Sequence, residues 1–198
     1  MKKLTVALLA GGISSEREVS LQSGDQVYEA LDKDKYHILR YDPKTDLDRL
    51  VNDAAGIDVA LIILHGPYGE DGTVQGLLDL LGIPYQGSGV LGSALAMNKE
   101  VTKQLYEKSG LPVPPYIIYD RNDKLDVDAC VKHIGLPLVV KPVAGGSSVG
   151  MSIVRSADDL QDALDKAMTY DSAVMVESYI AGTELTAGVI GNKELEAL

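Results

Sequence analysis

Apolar runs of strand length alternate with longer amphipathic stretches over the first part of the chain. The apolar runs are LTVALLA at 4–10, YHILRY at 36–41, DVALIIL at 58–64 and IPY at 83–85. Strands that alternate with helices in this order are typical of a parallel sheet with helices on both faces. The pattern therefore predicts a β-α-β-α-β-α arrangement, which is an α/β fold.

Three helices are predicted between these strands. Ser15 and Glu18 have the spacing of a capping box and follow a double-glycine turn, so they predict the start of the first helix. A second helix is predicted over 46–53. A third is predicted over 73–81, where apolar residues mark one face and Gly82 provides a helix end.

The pattern changes near residues 96–100. A helix is predicted over 94–109, and the proline-bearing segment at 110–116 is predicted to be extended, because proline disfavours helix in the residue before it. We place a domain boundary here, with a first domain over 1–96 and a second over 97–198. The second domain mixes strands and helices without an internal repeat, and it is predicted to be α+β.

A glycine- and serine-rich loop at 145–150 separates two apolar runs, LPLVVK at 136–141 and GMSIV at 150–154. The two runs predict an antiparallel hairpin with a long tip. Glycines free backbone N–H groups to surround an anion, and Lys141 at the end of the first run adds an ammonium group. The loop therefore indicates phosphate binding, although the same composition is typical of a flexible turn. Its spacing fits neither the Walker pattern nor the dinucleotide fingerprint.

Two acidic residues are candidates for the remainder of a nucleotide site. Glu177 ends the apolar strand AVMV, and Glu184 follows seven residues later. Carboxylates in these positions suit hydrogen bonds to an adenine amino group or to ribose hydroxyls. The alternative is that both are solvated acids near a strand end.

Two residues of the first domain are candidates for binding a second ligand. Glu16 opens a helix after the double glycine, where its carboxylate either caps the helix or receives an ammonium group. His65 follows a predicted buried strand at its C-terminal end, where open α/β sheets bind ligands. An ordinary polar loop residue is the alternative for His65.

Composition narrows the classes of function. The chain has 18 Lys and Arg against 29 Asp and Glu, a formal net charge of −11, which repels the phosphates of nucleic acid. No window is long and apolar enough for a membrane span, so we expect no membrane partner and a cytoplasmic location. Cys130 is the single cysteine, which excludes an intrachain disulfide and a zinc site of paired cysteines.

Taken together, five blocks resemble the D-alanine:D-alanine ligase family of the ATP-grasp superfamily. They are GGISSEREVSL at 11–21, LHGPYGEDGTVQGLL at 64–78, IPYQGSGVLGSALAMNK at 83–99, PLVVKPVAGGSSVGMS at 137–152 and VESYIAGTELT at 176–186. The resemblance implies a Rossmann-like pre-ATP-grasp domain with the first D-alanine site, followed by an incomplete α+β ATP-grasp domain. It also implies an ATP-dependent ligase that joins two D-alanines through an acyl phosphate for peptidoglycan precursor synthesis.

The resemblance also implies roles for individual residues. Phosphates would be contacted by Lys99, Lys141, Ser147, Ser148 and Val149; adenine by Glu177, Ser178, Tyr179 and Ile180; and ribose by Glu184. Glu16 would receive the ammonium group of the first D-alanine and bond to Ser147, as the catalytic pair. His65 would lie beside that substrate, and Glu70 would help to hold the surrounding loop.

Members of the resembling family are about half as long again, so we expect this chain to be a fragment that is inactive alone. The resemblance implies Mg²⁺ beside ATP, with its ligands outside this sequence, and a homodimer. Two alternatives stay open: a D-alanine:D-lactate ligase or another ATP-grasp ligase, and a nucleotide-binding fragment without turnover.

Overall fold

The computed structural model describes residues 2–124 and 126–198. Its helices are α1 Arg17–Ala30, α2 Leu47–Asp53, α3 Thr73–Leu81, α4 Val90–Met97, α5 Lys99–Lys108, α6 Val127–Ile134 and α7 Leu160–Met168. Its strands are β1 Leu4–Leu9, β2 Tyr36–Tyr41, β3 Val59–Ile62, β4 Tyr116–Asp120, β5 Leu138–Pro142, β6 Ser152–Val154, β7 Ala173–Ser178, β8 Val189–Ile190 and β9 Glu196–Ala197. The mixed α/β class predicted from the sequence is confirmed.

The first half of the chain forms a parallel sheet in the order β2-β1-β3. Its central strand is buried because helices cover it, and Leu8 and Leu9 are fully inaccessible. The prediction of a strand at 83–85 is wrong, since this segment forms only an isolated bridge between Tyr85 and Ala60. Pro84 has no N–H to donate to a ladder, but its carbonyl accepts a hydrogen bond from Ala60 N–H at 2.8 Å.

The predicted capping box at the start of α1 is also wrong. The helix begins at Arg17, and Glu16 occupies the N-cap position without a side-chain cap. Ser14 organises this turn instead, because its hydroxyl donates to the carbonyl of His65 at 2.7 Å and accepts from the N–H of Glu16 at 3.2 Å. The Glu16 side chain is thereby left for contacts outside its own helix.

The single helix predicted over 94–109 is two helices. Asn98 is extended and separates α4 from α5. Its side chain accepts a hydrogen bond from the N–H of Val101 at 3.0 Å, which caps α5, and its backbone pairs with Ala144. Lys99 therefore becomes the first residue of a new helix, beside the glycine loop.

The second half of the chain forms an antiparallel sheet in the order β4-β7-β5-β6. The predicted hairpin is confirmed, because β5 and β6 pair antiparallel on either side of the glycine loop. Helices α6 and α7 pack on this sheet around a core that includes Leu138, Val140, Leu160 and Val176. Strands β8 and β9 form a separate two-stranded sheet.

Within residues 2–124 and 126–198, no helix has the length and apolar character needed to cross a membrane. The domain boundary between residues 96 and 97 stays a prediction.

Candidate functional site

The glycine loop at 145–150 bends sharply between β5 and β6. Ser147 and Ser148 both have a left-handed backbone, with φ of 49° and 58°. A hydrogen bond from the N–H of Val149 to the carbonyl of Gly146 at 3.1 Å closes the turn. Two successive left-handed residues closed by this bond are typical of a type I′ hairpin turn, although serine is uncommon at these positions.

Two lysines line the cleft beneath this loop, together with most of the residues from Pro142 to Met151. Lys99 reaches in from α5, and its ammonium group donates to the carbonyl of Gly145 at 2.7 Å and to that of Val143 at 3.3 Å. Lys141 reaches in from β5. Burial lowers the pKa of Lys99, and the neighbouring charge of Lys141 lowers it further. The cleft thus concentrates positive charge beside the backbone of the glycine loop.

Glu177 lies next to this cleft and is 9% exposed. One carboxylate oxygen accepts from Lys141 and the other from Lys103 at 2.7 Å. Burial alone acts to raise the pKa of Glu177, but the hydrogen bonds and charges of the two lysines outweigh it, so the pKa is lowered. Glu177 is therefore an ionised group between two cations.

Lys103 is a functional candidate that the sequence reasoning missed. It stands one helical turn after Lys99 on α5, and this i, i+4 spacing is the signal that places both lysines on one face. Lys103 is 8% exposed. A lysine is rarely buried unless paired, so its burial points to the partner Glu177.

The segment after Glu177 is tied to the sheet by its backbone. Ser178 donates its N–H to Pro115 at 3.0 Å and its hydroxyl to Ile134 at 2.6 Å. Tyr179 donates its N–H to Pro137 at 3.2 Å. Ile180 and Glu184 are exposed beyond the strand. In the described part of the chain, no hydrogen bond or ion pair brings Glu184 to the lysines.

Glu16 meets the glycine loop from the other half of the molecule. It is 4% exposed, and its carboxylate accepts a hydrogen bond from the hydroxyl of Ser147. The backbone of Gly66 lies against the same carboxylate, since a Cβ built on Gly66 would stand 2.5 Å from Glu16 Oε1. A Cβ on Gly146 would stand 3.5 Å from that oxygen. The predicted pair of Glu16 and Ser147 is therefore in direct contact.

His65 and Glu70 surround the same corner. His65 follows β3, at the C-terminal edge of the parallel sheet, and its carbonyl is held by Ser14. Glu70 accepts a hydrogen bond from the N–H of Gly66 at 2.7 Å, so it holds the 66–70 turn closed. The structure thus brings Glu16, Glu70 and Ser147 to one place, with His65 in the adjoining strand end.

Across the residues that the structure describes, no group of three His, Cys, Asp or Glu side chains is arranged to hold a metal ion.

Comparisons with known proteins match both halves of the chain. Family models described as "D-ala D-ala ligase N-terminus" and "D-ala D-ala ligase C-terminus" match residues 5–51 with 42–88 and residues 105–198. The D-alanine–D-alanine ligase structure from Coxiella burnetii aligns with a TM-score of 0.84 and 31% identity, over 98% of this chain and 69% of that one. The chain belongs to the D-alanine–D-alanine ligase family.

Two further members of the D-alanine–D-alanine ligase family show how much of it the chain spans. The ligase of Syntrophobacter fumaroxidans is 60% identical over 197 residues, which cover 100% of this chain and 63% of that protein. The Bacillus anthracis ligase in complex with ATP is 40% identical with a TM-score of 0.78, over 90% of this chain and 60% of that one. The chain therefore spans less than two thirds of the length of these relatives.

Proposed function

We propose that this chain supplies the nucleotide site and the first D-alanine site of an ATP-dependent D-alanine:D-alanine ligase, which makes D-alanyl-D-alanine for peptidoglycan precursor synthesis. In this reaction the γ-phosphoryl group of ATP passes to the carboxylate of one D-alanine. The amine of a second D-alanine then displaces phosphate from the acyl phosphate. The products are the dipeptide, ADP and phosphate.

The observation that carries the proposal is the convergence of one cationic cleft and one buried carboxylate. Lys99 and Lys141 face the glycine loop on one side, and Glu16 touches Ser147 of the same loop on the other. A nucleotide phosphate and an amino acid ammonium group therefore have complementary partners a few residues apart. This is the pairing that transfer of a phosphoryl group to an amino acid requires.

Phosphoryl transfer asks a protein mainly for positioning and charge neutralisation. Lys99 and Lys141 neutralise the phosphates, and the backbone N–H groups near Ser148 and Val149 orient them. Glu16 receives the ammonium group of the first D-alanine, while Ser147 holds Glu16 in place. The proposed adenine partners are Glu177 and the 178–180 backbone, and the proposed ribose partner is Glu184.

Mg²⁺ belongs to the proposal only as a family implication. No candidate ligand set occurs in the described ranges, so we assign no metal ligand and derive no step through the ion. The homodimer and the cytoplasmic location likewise stay predictions.

Calorimetric titration with a non-hydrolysable ATP analogue and Mg²⁺ tests the nucleotide site. We expect saturable heat from the unaltered chain and an affinity about 10- to 100-fold lower for Lys141→Ala, because a hydrogen bond to a charged group is lost. Lys132→Ala, an exposed lysine on α6, is the matched control and should bind normally. Absence of saturable heat from the unaltered chain would contradict the nucleotide site.

A second measurement separates the ligase from a nucleotide-binding fragment without turnover. Phosphate release that depends on D-alanine in a family-length protein would establish ligase chemistry, and its absence there would favour nucleotide binding without turnover. We expect none from this chain alone, which spans under two thirds of its relatives. Replacing D-alanine by D-lactate as the second substrate in a family-length protein would test the depsipeptide alternative.

A further inference from the structure

Lys103 does not line the cleft, yet it is buried beside it. Its ammonium group pairs with Glu177 at 2.7 Å and donates to the carbonyl of Pro114 at 2.9 Å. It also lies 4.6 Å from the centre of the Tyr116 ring. Three partners fix this ammonium group, so its position is set by the fold and not by solvent.

The Glu177 carboxylate is held between a lysine of α5 and a lysine of β5. Strand β7, which carries it, pairs with β4 at Tyr116 and with β5 at Val139. Lys103 approaches from α5 and Lys141 from β5, and each takes a different carboxylate oxygen. Of these two lysines, only Lys141 also lines the cleft.

The two lysines therefore have different tasks. If Lys141 moves its charge to an anion in the cleft, Glu177 loses one counter-charge while still buried. A buried carboxylate without a partner is costly, so the departure of Lys141 is favourable only if a second cation stays behind. Lys103 is that cation. Lys99 also interacts electrostatically with Glu177, but the ammonium group of Lys99 is hydrogen-bonded to loop carbonyls.

We propose that Lys103 is a positioning residue of the nucleotide site: it keeps Glu177 compensated and oriented, so that Lys141 is free to exchange Glu177 for a phosphate. Lys103 acts through Glu177 and Lys141, without touching the nucleotide. The proposal rests on the proposed function, because it assigns the anion in the cleft to a nucleotide.

Proton linkage of nucleotide binding tests this role. Calorimetric titrations with the non-hydrolysable ATP analogue and Mg²⁺, in buffers of different ionisation enthalpy, measure protons taken up on binding. In Lys103→Met we expect about tenfold weaker binding and uptake of a proton, because Glu177 must be neutralised when Lys141 leaves. Lys108→Met, an exposed lysine on the same helix, should match the unaltered chain in both.

Two further variants exclude a purely structural effect. Combining Lys103→Met with Glu177→Gln should abolish the proton uptake, and in the Glu177→Gln background Lys103→Met should change the affinity by less than about twofold. Lys103→Arg keeps the charge and should restore binding without proton uptake. Circular dichroism spectra of all variants verify that they fold.

The outcomes separate this proposal from the function on which it rests. No saturable binding by the unaltered chain overturns the proposed function and the role of Lys103 with it. Normal binding by the unaltered chain, together with unchanged affinity and no proton uptake in Lys103→Met, overturns the role of Lys103 alone. If Lys103→Met weakens binding without proton uptake, and by the same factor with Glu177 and with Glu177→Gln, Lys103 only supports the fold. That result also overturns its proposed positioning role.

Discussion

Ser147 donates a hydrogen bond to Glu16 across 131 residues of sequence. The bond connects the hairpin loop of the antiparallel sheet to the N-terminus of α1 on the parallel sheet. Glu16 is almost completely buried, so it depends on partners from the protein rather than on water. The two halves of the chain thus meet at a charged hydrogen bond, in the place where both candidate substrates would lie.

Removing this hydroxyl should weaken the connection. We expect Ser147→Ala to lower the free energy of unfolding by about 1 to 2 kcal/mol, because a buried carboxylate loses a hydrogen bond. Urea unfolding followed by circular dichroism measures the change. Ser148→Ala is the control, since its hydroxyl makes no hydrogen bond within the described ranges, and equal effects of the two substitutions would contradict the importance of the link.

The absence of a side chain at Gly66 leaves room for the Glu16 carboxylate. The φ of +72° at Gly66 also disfavours any residue other than glycine. Gly66→Ala should therefore be doubly destabilising, through backbone strain of about 1 to 2 kcal/mol and through collision with the Glu16 carboxylate. Gly82→Ala isolates the strain, because Gly82 has a similar φ of +68° and a Cβ added there would meet no atom within 4 Å. A thermal melt of each variant gives the comparison. If Gly82→Ala is as destabilising as Gly66→Ala, the contact with Glu16 contributes nothing.

Asn98 caps α5 and sets the direction of Lys99. Asn98→Ala should cost about 1 kcal/mol of stability, since the N–H of Val101 loses its acceptor. We also expect Asn98→Ala to speed amide hydrogen exchange in the first turn of α5 and to leave exchange in α4 unchanged. Asn122→Ala, in an exposed turn, is the control. Unchanged exchange at residues 99–102 would show that the cap does not hold the helix start.

Acid should destabilise the protein partly through Glu177. Its pKa is lowered in the folded state, so its stabilising contribution is present above the unfolded-state value of about 4.3 and is lost as the pH falls through the folded value. Glu177→Gln should therefore flatten the fall in unfolding free energy below about pH 5. Urea titrations over this range measure the slope, with exposed Glu184→Gln as the control. A Glu177→Gln curve parallel to that of the unaltered chain would contradict the assignment.

Local periodicity was sufficient for the regular elements. Strand β2 and helix α3 have the bounds predicted from the sequence, because alternation and helical spacing reflect which side of each element is buried. Gly82 ends α3 in the left-handed conformation that its position predicted. These features depend on neighbours in sequence, so the sequence contains their signal.

Contacts between distant segments were harder to predict from the residues alone. The break at Asn98 combines a side-chain cap, for which asparagine is a local signal, with pairing to Ala144, and helical propensity carries no information about a partner 46 residues away. The i, i+4 spacing places Lys103 on the same helix face as Lys99, but nothing in the sequence shows that Lys103 is buried, because its partner Glu177 lies on a distant strand. The contact between Glu16 and Ser147 was expected only through family resemblance, since no local pattern joins two segments so far apart.

The lysines around Glu177 sit in a molecule whose formal net charge is −11. A polyanionic ligand therefore meets repulsion at long range and attraction only once it has entered the cleft. Mobile ions screen interactions beyond about 8 Å at physiological ionic strength, and they screen enclosed pairs much less. Moderate salt should thus remove the distant repulsion before it weakens the local attraction, so that the rate of encounter rises while the contacts inside the cleft persist.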